Sequence, residues 1–303
     1  LNAAYQKQNS FQDAGSYESI YVAPSLKYVV NNRLTFTINT EIKKSDASNA
    51  PMIFLSRYSP LSFNSIDLFE QNYKKSYTSN DLSIKNTTFN IQAQANYKIS
   101  DNWISQTIVS RGNTKTDGYN QYLWDSANGD EFTRYISKLG GETNTTGIQQ
   151  NFVGNFNVGK VKNKLLFGLD YFQRQFLLGG TGWAGFGTVS LVNQTDTKAG
   201  ELNQAAVNTA LASTQNAIGT METKIYSAYI SDVVYILPNL SAMLSARVDH
   251  FTGNPTAYAV EESKATTTFS PKLGLVYQPI QDKLSIFANY MNGFQNIEPV
   301  QNV

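Results

Sequence analysis

Apolar and polar residues alternate one by one along most of this chain. In RLTFTINTE (33–41), Leu34, Phe36 and Ile38 fall on one side, and Thr35, Thr37, Asn39 and Glu41 on the other. In FNIQAQANY (89–97), Phe89, Ile91, Ala93, Ala95 and Tyr97 oppose Asn90, Gln92, Gln94 and Asn96. KLLFGLDYFQR (164–174) and LSARVDHF (244–251) repeat the beat. In KLGLVYQPIQDKLSIFANYMNGF (272–294) it pauses at Pro279 to Lys283 and resumes at Leu284. A period of two is the signature of a strand whose two faces meet different surroundings. The pattern predicts eleven strands: 1–9, 17–30, 33–44, 86–99, 103–116, 146–158, 164–176, 223–237, 240–252, 266–279 and 284–295. Most are far longer than the ~5–6 residues usual in globular sheets. A strand of about 13 residues rises ~44 Å, and tilted by ~40° it still spans ~34 Å, enough for the core of a bilayer.

The connections fall into two sets. Asn31–Asn32, Ser100–Asn102, Gly159–Asn163, Pro238–Asn239 and Pro279–Lys283 are short, whereas 45–85, 117–145, 177–222 and 253–265 are long. The sets alternate strictly, so short turns gather at one end of the sheet and long loops at the other.

Alternation by itself suits a soluble barrel with an oily interior as well as a membrane barrel with an oily exterior. Three features favour lipid. The polar face carries bulky Asn, Gln, Arg, Asp and Glu, as a wet lumen would. Tyr97, Trp103, Tyr171 and Tyr277 lie near strand ends, where interfacial girdles form. The asymmetry of turns and loops is the third. The fold class expected is therefore all-β, an antiparallel transmembrane β-barrel. Leu34, Phe36, Ile38, Phe89, Ile91, Phe167 and Leu169 are then expected to face lipid. Asn90, Gln92 and the charged Asp170, Arg174, Arg247 and Asp249 are expected to face the lumen, because an Arg on the lipid face costs ~2–4 kcal/mol at the midplane.

Composition narrows the chemistry. Among 303 residues, 24 basic and 23 acidic side chains leave a net charge of +1, so no strong field points to nucleic acid. Cysteine is absent and His250 is the lone histidine, which removes disulfides and Cys- or His-rich metal sites. No apolar run is long enough for a transmembrane helix. A Ser-His-Asp hydrolase would need His250, yet its neighbour Asp249 points to the other face of the strand. No catalytic residue, metal ligand or cofactor is therefore expected. The candidate ligand contacts are loop aromatics: Tyr119, Tyr122 and Trp124 in TDGYNQYLWD (116–125), and Trp183 and Phe186 in GGTGWAGFG (179–187). Their alternative role is to pack the loops together. ELNQAAVNTALASTQNAIG (201–219) is expected to form an amphipathic helix within the longest loop.

NFVGNFNVGKVKNKLLFGLDYFQRQF (151–176), YSAYISDVVYILPNLSAMLSARVDHF (226–251) and FSPKLGLVYQPIQDKLSIFANYMNGF (269–294) resemble the barrel of TonB-dependent siderophore receptors, the ferrichrome-receptor type in particular. YVAPSLKYVVNNRLTFTINTE (21–41) is similar to an earlier hairpin of that barrel. The resemblance implies a 22-stranded barrel filled by an N-terminal plug. It also implies a periplasmic segment that engages the TonB complex, and energy-coupled import of ferric siderophores across the outer membrane of a Gram-negative bacterium. Residues 1–303 are accordingly expected to be about half of one outer-membrane barrel domain, with the plug and the C-terminal strands outside them. The siderophore would be a transported ligand, and membrane lipid the other partner. Three readings stay open beside this one: a TonB-dependent glycan or peptide porter, an outer-membrane hydrolase, and a structural barrel subunit of a larger complex.

Overall fold

The structure is a computed structural model that describes residues 1–56, 60, 61, 66–126, 130–254 and 265–294. Its strands are β1 (Asn2–Asn9), β2 (Ser16–Ala23), β3 (Ser25–Val29), β4 (Leu34–Ser48) and β5 (Met52–Phe54). Helix α1 (Asp67–Gln71) follows, then β6 (Ile84–Lys98), β7 (Trp103–Asp125), β8 (Glu131–Val158) and β9 (Val161–Gly180). The last part holds β10 (Ala184–Ser190), β11 (Thr195–Asp196), α2 (Gln204–Leu211), β12 (Gly219–Leu237), β13 (Leu240–Asn254), β14 (Thr266–Ile280) and β15 (Leu284–Met291).

One sheet carries the order β1-β2-β4-β6-β7-β8-β9-β12-β13-β14-β15. Neighbours on this path are antiparallel throughout. These eleven strands answer one for one to the eleven expected. β3 continues β2 past Pro24 and pairs with the same partner, β4. Pro24 has no N–H to give the ladder, but its carbonyl still accepts from Thr40 at 3.0 Å.

Register settles which residues share a face, because residues directly opposite in a ladder point the same way. One cross-strand row reads Phe36, Ala95, Thr107, Gln150, Leu169, Ala228, Val248 and Phe269. The row behind it on the other face reads Thr37, Gln94, Ile108, Gln149, Asp170, Ser227, Asp249 and Thr268. All seven residues expected to face lipid lie on the first face, and the six expected to face the lumen lie on the second. Among the described residues, none covers the apolar face of the wall. Phe36, Ile38, Phe89, Phe167 and Leu169 are all exposed, Leu169 by half. An oily soluble interior would bury these side chains. Instead, every fully buried large apolar residue among those described lies at the long-loop end.

Three of the long loops prove to be built structure. β7 and β8 do not stop at 116 and 146; they run on as one hairpin, paired without a register shift from Trp103↔Gly154 to Asp125↔Phe132. β5 joins this hairpin parallel to β7, and β10 joins it antiparallel to β8 with β11 at its edge. The result is a five-stranded cap above the barrel wall. α2 packs on β8 and β10. It is shorter than the expected 201–219, starting where the Asn203 side chain accepts from the Ala206 N–H at 3.0 Å. α1 contributes Leu68 and Phe69 to the cap core. Glycines hid the continuation of the strands: Gly118, Gly140, Gly141, Gly179 and Gly180 break the alternation where wall becomes cap. Of the fourth long loop, 253–265, residues 255–264 lie outside the described residues.

Candidate functional site

The unbroken register of β7 and β8 carries the two faces of the wall up into the cap. Tyr122 and Trp124 have the parity of Gln106 and Ile108, so they continue the polar face upward. Tyr119 and Leu123 have the parity of Thr107 and Val109, so they continue the belt face. The two cap faces meet different fates.

On the face of Tyr122, five aromatic rings lie together and stay accessible. Tyr122 stacks on Tyr135 across the ladder at 5.1 Å between centroids. Trp183 meets the same ring edge-on at 4.7 Å, and Phe54 does so at 5.5 Å. Phe54 also lies 6.1 Å from Trp124. Trp124 and Trp183 are each 45% exposed. Burial, with Tyr135 alongside, pushes the Tyr122 phenol up, so it stays a neutral hydrogen-bond donor and acceptor at ordinary pH. Such a surface offers large rigid platforms with polar rims and little entropy to lose on binding.

The opposite cap face is covered. Tyr119 (7% exposed) and Phe186 (5%) are buried with Leu82, Ile136, Val207 and Leu211 under α2. The Tyr119 hydroxyl donates to Asn208 Oδ1 at 2.9 Å. These two expected ligand contacts are therefore core residues of the cap. For Tyr119 the cause is strand parity; for Phe186 it is the register shift between Gly185 and Thr188, where Gly187 takes a φ of +77°. A second cluster joins Tyr77, Leu123, Phe132, Val189 and Leu191. Between the clusters lies Arg134, wholly buried, which donates to both Asp196 oxygens at 3.1 and 2.5 Å, to the Phe186 carbonyl at 3.3 Å and to the Tyr77 carbonyl at 3.1 Å. Burial, then the charges of Asp13 and Asp196, push the Tyr77 phenol up to about 12.

Lower on the polar face, three of the four expected charges form one network. Arg247 Nε donates to both Asp249 oxygens at 2.8 and 3.1 Å, and Nη2 reaches Asp170 at 3.4 Å and Ser227 at 2.7 Å. Its guanidinium lies 5.2 Å over the Tyr229 ring. The Tyr229 hydroxyl donates to Asn151 at 2.5 Å and accepts from Gln149 at 2.7 Å. Gly168 makes room for that ring, since a Cβ there would come within 2.3 Å of it. Arg174 stands apart, exposed and in no ion pair among the described residues. His250 is on the belt face, opposite in sense to Asp249; its Nδ1 shares a 2.8 Å hydrogen bond with Thr267 Oγ1. Among the described residues, no three His, Cys, Asp or Glu side chains are grouped to hold a metal.

Phe54 and Tyr135 escaped the sequence reading. Phe54 lies in a short apolar run, MIF, whose only signal was its composition. Tyr135 was readable only by carrying the alternation of β8 back through Gly140 and Gly141.

A wide antiparallel sheet with an uncovered apolar belt, a polar opposite face and a built cap at one end defines the wall of a transmembrane β-barrel. The chain belongs to the family described as TonB dependent receptor-like, beta-barrel, which matches residues 21–302. That membership places it in the outer membrane of a Gram-negative bacterium. Comparison with curated proteins finds no match. Among solved structures, the ferripyoverdine receptor of the outer membrane of Pseudomonas aeruginosa is similar in fold, with a TM-score of 0.74 at 14% identity. The alignment covers 95% of this chain and 37% of that one. The ferric-catecholate import receptor Fiu from E. coli K12 gives 0.73 at 14%, covering 96% and 45%. BauA, the ferric preacinetobactin receptor from Acinetobacter baumannii, gives 0.71 at 10%, covering 94% and 41%. The chain thus spans less than half the length of each.

Proposed function

We propose that this chain forms part of the barrel of a receptor that binds a ferric siderophore outside the cell and admits it with energy supplied through the TonB complex. The observation that carries the reading is the accessible cluster of Phe54, Tyr122, Trp124, Tyr135 and Trp183 at the mouth-side end of the polar face. In this reading the face of Asp170, Arg174, Arg247 and Asp249 is the lumenal one, which its position behind the uncovered apolar belt supports. The network around Arg247 then braces the wet wall. Segments of the receptor outside residues 1–303 supply the plug, the TonB contact and the remaining strands. The three receptors similar in fold are all named for ferric ligands, which supports the ligand class.

The test is equilibrium binding of a panel of ferric siderophores, ferrichrome type included, to the full-length receptor. Changing Tyr122, Trp124 and Trp183 together to alanine should weaken binding at least tenfold, since one aromatic platform contributes ~1–3 kcal/mol in stacking systems. Unchanged affinity would take the cluster out of the site. Failure of every iron chelate, with binding of an oligosaccharide or peptide instead, would move the assignment to a glycan or peptide porter.

A further inference from the structure

Arg174 lies in surroundings unlike the rest of the polar face. Its own cross-strand row holds Thr145 and Thr223, with the small Gly253 beyond. The row below it holds Phe172, Ile225 and Phe251, and Phe176 stands above it on β9. Elsewhere this face presents mostly Asn, Gln, Ser, Thr and charge. Here an exposed guanidinium sits in a patch of apolar side chains that are only partly covered. Its height is also defined. On the other face of β9 and β12, three residues below Arg174, the Tyr171 and Tyr226 rings touch at 5.1 Å and end the apolar belt. Arg174 therefore lies ~10 Å above the outer boundary of the belt, at the mouth of the barrel.

The nearest acids on this face of the wall are already used. Asp170 is four residues down the strand, ~13 Å away, and both it and Asp249 bind Arg247. Glu41 shares the row of Arg174 but lies four strands off and accepts from Asn90 at 3.0 Å. The patch thus combines a fork of charged donors, two flanking hydroxyls and an apolar floor, with its negative complement missing among the described residues. Arg is weakly hydrated and matches oxyanions in a bidentate geometry, which suits it to such a half-apolar setting.

We infer that Arg174, with Thr145, Thr223, Phe172, Ile225 and Phe251, forms an anion-binding station at the barrel mouth for a small ligand carrying a carboxylate or similar oxyanion on an apolar body. The inference rests on the reading of this face as lumenal. It is separate from the aromatic cluster, which lies ten residues further up the wall, ~33 Å along β7 from the row of Arg174.

The experiment uses the full-length receptor in lipid nanodiscs, with 1-naphthoate as probe and the neutral 1-naphthalenemethanol as control, followed by saturation-transfer NMR titration. Arg174→Gln should weaken naphthoate about tenfold or more, as loss of a charge-assisted hydrogen bond does, and leave the neutral control unchanged. Arg174→Lys should keep part of the affinity. Equal naphthoate binding by wild type and Arg174→Gln overturns the proposal. So does a wild type that binds no naphthoate while Arg174→Gln loses thermal stability, because the cation would then be paired with a carboxylate of the receptor itself. The aromatic triple variant is the separating control. If it keeps chelate binding while Arg174→Gln still loses naphthoate, the proposed siderophore site fails and the station stands. A cysteine at 174 that a water-soluble thiol reagent cannot reach would overturn the lumenal reading and the station together.

Discussion

Replacing Asp196 with alanine should loosen the whole cap while leaving the barrel wall intact. Arg134 is fully buried between the two apolar clusters, and Asp196 takes two of its four hydrogen bonds and all of its charge. Deleting one partner of a buried pair costs ~3–5 kcal/mol, because the other charge is left without compensation. At ~1.4 kcal/mol per factor of ten, the opened population of the cap should rise roughly a hundred- to several-thousandfold. Hydrogen exchange on the full-length receptor in nanodiscs would read this as faster exchange in β10, β11 and the segment around Tyr77. The amides of β12 and β13 should not change. The control is Arg134→Met with Asp196→Leu. Swapping a buried pair for apolar groups of similar size is often neutral, so the double variant should regain most of the protection. Exchange in the Asp196→Ala cap within threefold of wild type would refute the reasoning. A double variant worse than the single one would show that the stranded charge is not the source of the cost.

Cysteines placed singly at Asn90, Gln92, Asp170 and Arg247 should react with a water-soluble thiol reagent in the intact membrane, and those at Phe36, Ile38, Phe89, Ile91 and Leu169 should not; the reverse pattern would sink the assignment of faces. Gly168→Ala should drive the Tyr229 ring off its hydrogen bonds to Asn151 and Gln149 and destabilise the wall by ~1–3 kcal/mol, seen as a lower unfolding temperature that Gly168→Ala, Tyr229→Phe does not lower further. Asp13 docks the turn between β1 and β2 onto Ser76. Burial pushes its carboxyl up, but the Ser76 hydrogen bonds and Lys75 outweigh this and hold it below the ordinary 3.8. A depressed carboxyl stabilises above its unfolded pKa and lets go as pH falls through the folded one. Protection of the Ser76 amide should therefore hold from pH 7 to 5 and fail only below about pH 4, with Asp13→Asn abolishing the acid step. Loss of protection already between pH 7 and 5 would contradict this.

How much of the candidate site could be read from the sequence differs residue by residue. Asp170, Arg247 and Asp249 were legible as companions on one face because their strands alternate cleanly and the parity of a strand is a local property. That they form one network through Ser227 was not, since it depends on which strands become neighbours and in what register. Tyr122, Trp124 and Trp183 were legible as accessible aromatics. Tyr119 and Phe186 looked the same in sequence, yet the fold buries both.

By itself, the sequence determined the eleven-strand wall, the two unlike faces and the end at which structure accumulates, because these follow from a period of two and from turn chemistry within a few residues. Tertiary structure decided the cap. Whether 117–125 and 131–145 are loops or strands turns on pairing across their glycines. Which cap face is covered turns on α2 and the segment around Leu82 docking from far along the chain. Tyr119 and Tyr122 are three residues apart on one strand, so they point opposite ways. Only the docking of those distant segments makes one of them core and leaves the other partly accessible.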